Sequence, residues 1–386
     1  MTRTGSRYVV IALVLVLAAM APVPNVGAAG QVVAAGALAQ GPADACAPLV
    51  ERRPATPRPA SSPVTAGLAD PAPAPAERTS VTVGFVPISI YAPLFVAFEK
   101  GYYADEGLDV TLEPLAGGSD LITLTANGEF DVAAAGAGPA FWNAMALDLP
   151  VTVVAPGHAE GSPVATPLMI SREACESGAI TRVADLRGKR VSVNAPGATE
   201  FWLGRALATD GLTIDDVDEQ FLAFPEAVAA LASGAIDAAM VGEPLATQAE
   251  QQGIASRLLD DFPVQDVQPT TVIANDGFLA DHPDAANGFA VAYLRAVRDL
   301  SGAGFKAPEN LAIIERYTGV PADLVAEAVQ PVFVPNGVID LASLGELQTF
   351  FRGRGQLEYE TDIDPGTIVD LRYMDAALAR LGPYAS

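Results

Sequence analysis

Nucleophilic or acid–base chemistry in this chain would have to come from few residues. The histidines are His158 and His282, and the cysteines are Cys46 and Cys175. No Cys-x-x-Cys pair, metal-ligand cluster or Ser/His/Asp arrangement stands out, so no metal and no cofactor are expected. Cys175 sits in Ser171-Arg-Glu-Ala-Cys175-Glu-Ser, and neighbouring acids raise a thiol pKa rather than lower it. Binding chemistry is better represented. Gly128-Glu-Phe-Asp131-Val-Ala-Ala-Ala-Gly136 reads as a helix stop, a turn, a short buried strand and a second glycine turn. Gly234-Ala-Ile-Asp237-Ala-Ala-Met-Val-Gly242 reads the same way. Glycine suits the left-handed position that ends a helix. The small apolar residues after each Asp predict a fully buried parallel strand. Gly136 and Gly242 then fall at the strand's carboxyl end, where open α/β sheets bind ligands. Two such units predict two α/β lobes with a ligand crevice between them.

The elements around these units fit that picture. Val81–Val86, Leu108–Glu113, Asp131–Ala135 and Val151–Ala155 read as strands, separated by helices over Pro93–Lys100, a stretch opened by Ser119, and Pro139–Leu147. Alternation of strand and helix predicts a parallel sheet with crossovers. Thr166–Ser171 reads as a strand leaving the first lobe. Arg190–Val193, Glu219–Phe224 and Ala238–Val241 are strands of the second, with helices over Glu200–Thr209 and Pro225–Ser233. Thr199 is expected to cap the first of these helices. Thr270–Ala274 reads as the return crossing, and Pro283–Ser386 as mainly helical. The expected domains are residues 80–165 plus 275–386 for one lobe and 166–274 for the other. Two crossing strands make a hinge suited to closure around a ligand.

Composition narrows the partners. The chain has 386 residues, half of them apolar, and a net charge of -24. Its lysines are Lys100, Lys189 and Lys306. Nucleic acid is excluded as a partner, because phosphate contacts need a basic surface. Arg3 and Arg7, the apolar run Tyr8–Val23 and the small residues Val26-Gly27-Ala28 read as a secretory signal over residues 1–28. Residues 29–78 are rich in Ala and Pro and read as a disordered spacer. The location expected is periplasmic or at the cell surface. An exported chain could pair Cys46 with Cys175.

Several motifs together resemble a known family. Phe98-Glu-Lys-Gly-Tyr-Tyr103 is followed by Glu106-Gly107-Leu108-Asp109-Val110, then by Asp185-Leu-Arg-Gly-Lys-Arg-Val191 and Glu243-Pro244. With the paired Gly-x-x-Asp units, this order resembles ABC-importer solute-binding proteins for nitrate, sulfonate, taurine and thiamine-precursor pyrimidines. The resemblance covers about residues 80–300. It implies the α/β type II periplasmic-binding fold, with two lobes. It also implies a monomeric receptor that hands a small solute to the transmembrane subunits of an ABC permease.

In the resembling family, ligands touch loops at the carboxyl ends of lobe strands. Carried onto this sequence, the first loop holds Ser89 and Tyr91. Tyr91 either covers the ligand or packs on its own loop. Gly117, Gly118 and Ser119 offer backbone N–H groups at a helix start, or serve only as its entry turn. Gly136, Ala137 and Gly138, ahead of Pro139, allow close approach of a ligand or of packed backbone. In the second lobe, Asn194, Gly197, Ala198 and Thr199 bring a donor and acceptor to another helix start. Glu243 would accept hydrogen bonds from an amine or aminopyrimidine, or lie in a solvated turn. Thr271 lies at the return crossing. Glu200 and Trp202 read mainly as helix charge and helix core, and His158 and Glu160 as a solvated loop.

Other functions stay open on the same fold. Thiamine-pyrimidine synthases resemble the family but carry a cysteine-rich metal motif and a reactive histidine. Sulfinate desulfinases resemble it and use a cleft cysteine. A surface sensor displayed on the Ala/Pro spacer is the third alternative.

Overall fold

The computed structural model describes residues 78–115 and 119–385. The export segment, residues 29–77 of the spacer, Cys46, Gly117 and Gly118 lie outside the described residues. The first part of the chain forms β1 (Thr79–Phe85), α1 (Ala92–Glu99), α2 (Tyr102–Asp105), β2 (Leu108–Pro114) and α3 (Ser119–Ala126). It continues with β3 (Val132–Gly136), α4 (Pro139–Ala146), β4 (Val151–Pro156) and β5 (His158–Ala159). The second part holds β6 (Leu168–Ser171), α5 (Arg172–Glu176), β7 (Arg190–Val193), α6 (Ala198–Ala208) and β8 (Asp218–Phe221). It ends with α7 (Phe224–Ser233), β9 (Ala238–Met240), α8 (Leu245–Gln251) and β10 (Ala255–Leu259). The chain then returns as β11 (Thr270–Asn275), α9 (Asp276–Asp281), α10 (Pro283–Asp299), α11 (Pro308–Thr318) and α12 (Ala322–Glu327). Last come β12 (Val332–Phe333), α13 (Leu341–Gly353) and α14 (Arg372–Leu381).

Two five-stranded sheets result, in the orders β2-β1-β3-β11-β4 and β10-β6-β9-β7-β8. β5 and β12 make a short antiparallel pair beside the crossings. The expectation of parallel sheets is corrected. β3 runs parallel to β1 and antiparallel to β11, while β9 runs parallel to β7 and antiparallel to β6. In each lobe the antiparallel neighbour is the strand next to a crossing. The return strand, β11, lies inside the first sheet, not in the second lobe.

The two Gly-x-x-Asp units explain this shared architecture. Gly128 and Gly234 end α3 and α7 at φ 75° and 68°. Each Asp then ties three strands. Asp131 donates its N–H to Thr82 O (2.9 Å), and its Oδ2 accepts the Thr82 N–H (2.8 Å). Its carbonyl accepts the Asn275 N–H (2.9 Å). Asp237 repeats every bond. Its N–H reaches Arg190 O (2.9 Å), its Oδ2 accepts the Arg190 N–H (2.9 Å), and its carbonyl accepts the Ser171 N–H (3.2 Å). The following residues alternate between two apolar layers, as strand pleating requires. Ala133 and Ala135 face the layer shared with the second sheet, while Val132 and Ala134 face α1 and α10.

That shared layer is continuous across both lobes. Phe141 and Trp142 of α4, Phe201 and Trp202 of α6, and Leu344, Leu347 and Phe351 of α13 belong to it. Residues 338–370 form a strap over it. Gln268, in the return crossing, donates its side-chain amide to Val338 O and accepts the Asp340 N–H. α13 then runs along α4 and α6. Residues 368–370 close on the β4 edge, where Val153 N–H reaches Ile368 O and Asp370 N–H reaches Val153 O, both at 2.9 Å. Among the described residues no helix is long and apolar enough to cross a membrane.

Replacing Asp131 or Asp237 with Ala leaves a strand N–H without its acceptor. Each change should lower unfolding free energy by about 1–3 kcal/mol, measured by chemical denaturation. The Arg190 guanidinium holds the Asp237 carboxyl below the usual range. Its contribution is therefore full above about pH 4 and is lost as pH falls through the depressed folded value. The Asp237→Ala variant should lose less stability on acidification than the parent.

Candidate functional site

The loops at the sheet ends bring two of the sequence-derived groups together. Gly136, exposed, ends β3, and Ala137 donates its N–H to Pro269 O (2.9 Å). Gly138 precedes α4 and sits against the second lobe. A Cβ placed on Gly138 would lie 3.5 Å from Gly197 Cα and 3.8 Å from Pro196 O. The starts of α4 and α6 therefore converge from opposite lobes, each with its free N–H groups. Gly197 has φ 152° and ψ -149°, a conformation essentially restricted to glycine.

The second-lobe loop differs in detail from expectation. α6 begins at Ala198, so Thr199 lies in its first turn and does not cap it. The buried Thr199 hydroxyl donates instead to Asn194 Oδ1. Asn194 is exposed, with its side-chain NH2 free to donate outward. Ala198 is half-buried beside them. Register places Val193 opposite Phe221, which is 52% exposed.

Other expected residues are committed elsewhere. Glu243 is not a solvated turn residue; its side chain is 4% exposed. Arg257 Nη2 donates to Glu243 Oε1 (2.6 Å), and the Thr247 N–H reaches Glu243 Oε2 (3.0 Å). Arg257 also donates from Nε to Glu250 Oε2 (2.7 Å). Glu243 Oε1 also accepts the Val329 N–H of the first lobe at 3.5 Å, so the carboxylate is committed to this knot. Gly242 lies under the Phe224 ring, 2.7 Å from where a Cβ would stand, and does not open onto the gap. Tyr91 is packed inside the first lobe, 7% exposed, and burial raises its hydroxyl pKa well above the tyrosine range. It lies near Tyr293, whose hydroxyl donates to Pro156 O (2.8 Å). Ser89 is half-buried in a single 3-10 turn ahead of α1. Ser119 begins α3.

Thr271 is 1% exposed, and its Oγ1 has no hydrogen-bond partner. The same holds for Trp142 Nε1, at the start of α4, and Ser192 Oγ, two residues before Asn194. Sequence reading missed both. An unpartnered buried polar atom costs about 1–3 kcal/mol, so each is a natural place for water or a ligand atom to bond.

The expectation of a solvated loop at His158 and Glu160 is also corrected. Both are buried at the crossings. His158 Nδ1 pairs with Thr270 Oγ1 (2.8 Å), and Glu160 Oε2 accepts the Ala165 N–H (2.9 Å). Gly157 permits this fit, since a Cβ there would meet Thr270 Oγ1 at 2.1 Å. Glu200, fully buried, is bound by Arg354 and Gln356. Arg205 pairs with Glu346 and lies over the Phe201 ring. Cys175, on α5, is disulfide-bonded. Among the described residues no group of three or more His, Cys, Asp or Glu could hold a metal. A cavity of about 620 Å³ lies elsewhere, between α6 and α13, lined in part by Phe201, Leu212, Phe350 and Arg354.

Two α/β lobes, joined by paired crossings and meeting through strand-end loops, define a periplasmic-binding-protein architecture. The chain belongs to the NMT1-like family, whose model matches residues 74–314. The nitrate/nitrite binding protein NrtA of Nostoc sp. is 25% identical over 241 residues, which are 57% of this chain and 53% of NrtA. The chain thus spans about half the length of that relative. The riboflavin-binding protein RibY of Chloroflexus aurantiacus is 26% identical over 253 residues, 62% of this chain and 68% of RibY. The fold matches the alkanesulfonate-binding protein SsuA of Xanthomonas axonopodis pv. citri, solved with MOPS. There the TM-score is 0.62 and identity 18%, covering 77% of this chain and all of SsuA. A DszB mutant in complex with biphenyl-2-sulfinic acid shares the fold at TM-score 0.57 and 16% identity, covering 78% of this chain and 99% of DszB.

The Glu243–Arg257 knot yields a direct test. Arg257→Met strips a buried carboxylate of its cation and should cost about 3–5 kcal/mol by calorimetry. Combining it with Glu243→Gln should recover most of that loss.

Proposed function

We propose that this protein is an extracytoplasmic solute-binding receptor of an ABC importer, closing on a small solute between its lobes. The observation that carries this reading is the approach of Gly138 to Gly197, which puts two helix starts from opposite lobes on one gap. Gly136, Ala137 and Gly138 form the first-lobe wall. Asn194, Gly197, Ala198 and Thr199 form the second, with the Asn194 amide as donor. Thr271 supplies an uncommitted hydroxyl behind the β3 end, beside Ala135 and Pro156 in register. Ser89 and residues 117–119 are further candidates for contact with the solute. Peptide N–H groups at helix starts favour an anionic or carbonyl oxygen on the solute.

Binding without turnover is the better reading than catalysis. The sulfur that a thiol mechanism would need, at Cys175, is held in a disulfide. The His158 ring is buried at the crossings, with Nδ1 paired to Thr270 and Nε2 3.9 Å from Glu160 Oε1. Partners would be the permease transmembrane subunits, reached from the periplasmic or outer cell surface by a monomeric receptor.

A thermal-shift screen with nitrate, MOPS, taurine, riboflavin and a hydroxymethylpyrimidine tests the reading. Ligand at about 100-fold its Kd should stabilise the protein by about 2.7 kcal/mol. Gly138→Val and Asn194→Asp, the latter keeping the acceptor for Thr199 and removing the outward donor, should each weaken the responding ligand at least tenfold with little change in ligand-free melting. Unchanged binding in both variants would remove the gap as the site.

A further inference from the structure

The strap turn that follows α13 is gripped by both lobes at once. From the second lobe, Glu200 Oε1 accepts Arg354 Nε–H (2.7 Å) and Glu200 Oε2 accepts the Gln356 side-chain amide (2.7 Å). Asp215 and Glu219 take the remaining Arg354 nitrogens at 3.0 and 2.8 Å. From the first lobe, Asn143 of α4 donates to Gln356 O (3.2 Å) and accepts the Glu358 N–H (2.9 Å). Gln356 therefore bonds one lobe through its side chain and the other through its backbone. Asn143 lies one turn into α4 and Glu200 in the first turn of α6, so the grip falls beside the two helix starts that meet at Gly138 and Gly197.

The strap also meets α6 through the shared apolar layer, an edge-on contact between Phe350 and Phe201 with centroids 5.2 Å apart, and the Arg205–Glu346 pair. Beside these contacts a cavity of about 620 Å³ is lined by residues of both helices. Polar contacts of this kind can be exchanged for hydrogen bonds to water at small net cost. Asp215 is 88% exposed and adds little. Glu200 is fully buried and the Glu219 side chain is 12% exposed, so their bonds carry the contact.

We propose that residues 354–358 are an interlobe clasp: the Arg354–Glu200–Gln356–Asn143 chain holds the lobes closed, and opening requires its rupture. Arg354 and Gln356 are then positioning residues, acting on the gap through Glu200 and the start of α6. The clasp adds to the other ties between the lobes, among them the crossings, the Gln251–Glu327 bond and the Arg205–Glu346 pair.

Solution scattering and hydrogen exchange of the ligand-free full chain test this. Asn143→Ala removes the first-lobe grip and leaves the Arg354 cluster whole. Arg354→Gln removes the guanidinium part of the second-lobe grip and leaves the Gln356–Glu200 bond. Both should enlarge the radius of gyration relative to wild type, with at least a tenfold rise in the open-to-closed ratio, equivalent to about 1.4 kcal/mol. Both should also speed exchange in peptides covering 198–206 and 354–360. If Asn143→Ala matches wild type in both readouts, the cluster is a local prop of the second lobe and the proposal fails, whether or not Arg354→Gln folds. A wild-type profile that already fits separated lobes would overturn it equally. No ligand enters the experiment, so its outcome is independent of the receptor reading.

Discussion

Two carboxylates, Asp131 and Asp237, set the geometry on which the rest depends. Each binds the backbone of a parallel neighbour through its side chain and N–H, and an antiparallel neighbour through its carbonyl. One residue thereby fixes the relative height of three strands at the start of a short central one. Because β3 and β9 are only a few residues long, that height also fixes where their far ends fall. The loop at Gly136–Gly138 inherits its place from Asp131. The lobes resemble each other because the same short-range bonds are made twice.

The chain is strongly acidic, yet the buried acids in this part of the fold are answered from within. Glu243 has Arg257 and Thr247, Glu200 has Arg354 and Gln356, and Glu160 has the Ala165 N–H. Burying an unpaired carboxylate would cost several kcal/mol, so each acid acquires a partner as its surroundings close. These acids therefore do not furnish the gap with charge. On the proposed reading, recognition there falls to backbone N–H groups, to Asn194 and to hydroxyls such as that of Thr271. The same economy places polar ties at the crossings and under the strap, where the lobes meet.

Much of the fold was legible locally. Gly128 and Gly234 end helices because glycine alone tolerates the left-handed turn cheaply, and the alanine-rich runs after each Asp can only be buried. Those signals need no knowledge of the partner strand. The mixed pairing of β3 and β9 was not legible, because the small residues that suit a parallel strand suit a doubly covered antiparallel one equally. Thr199 illustrates the limit at finer scale. Its position before Glu200 reads as a cap, but Gly197 takes the special backbone conformation two residues earlier, and the hydroxyl turns to Asn194.

The site divides in the same way. Sequence alone marked the glycine-bearing strand ends, since a loop that must leave a buried strand and enter a helix at once needs those residue types in that order. It determined the two-lobed class, the repeated Asp units and the loops that turn toward one another. Only the tertiary structure decided which polar side chains remain free to act. Glu243, Glu200, Arg205 and His158 all look available in one dimension. Their partners, Arg257, Arg354, Glu346 and Thr270, lie 14, 154, 141 and 112 residues away, and pairing across such separations is settled by packing, not by local pattern.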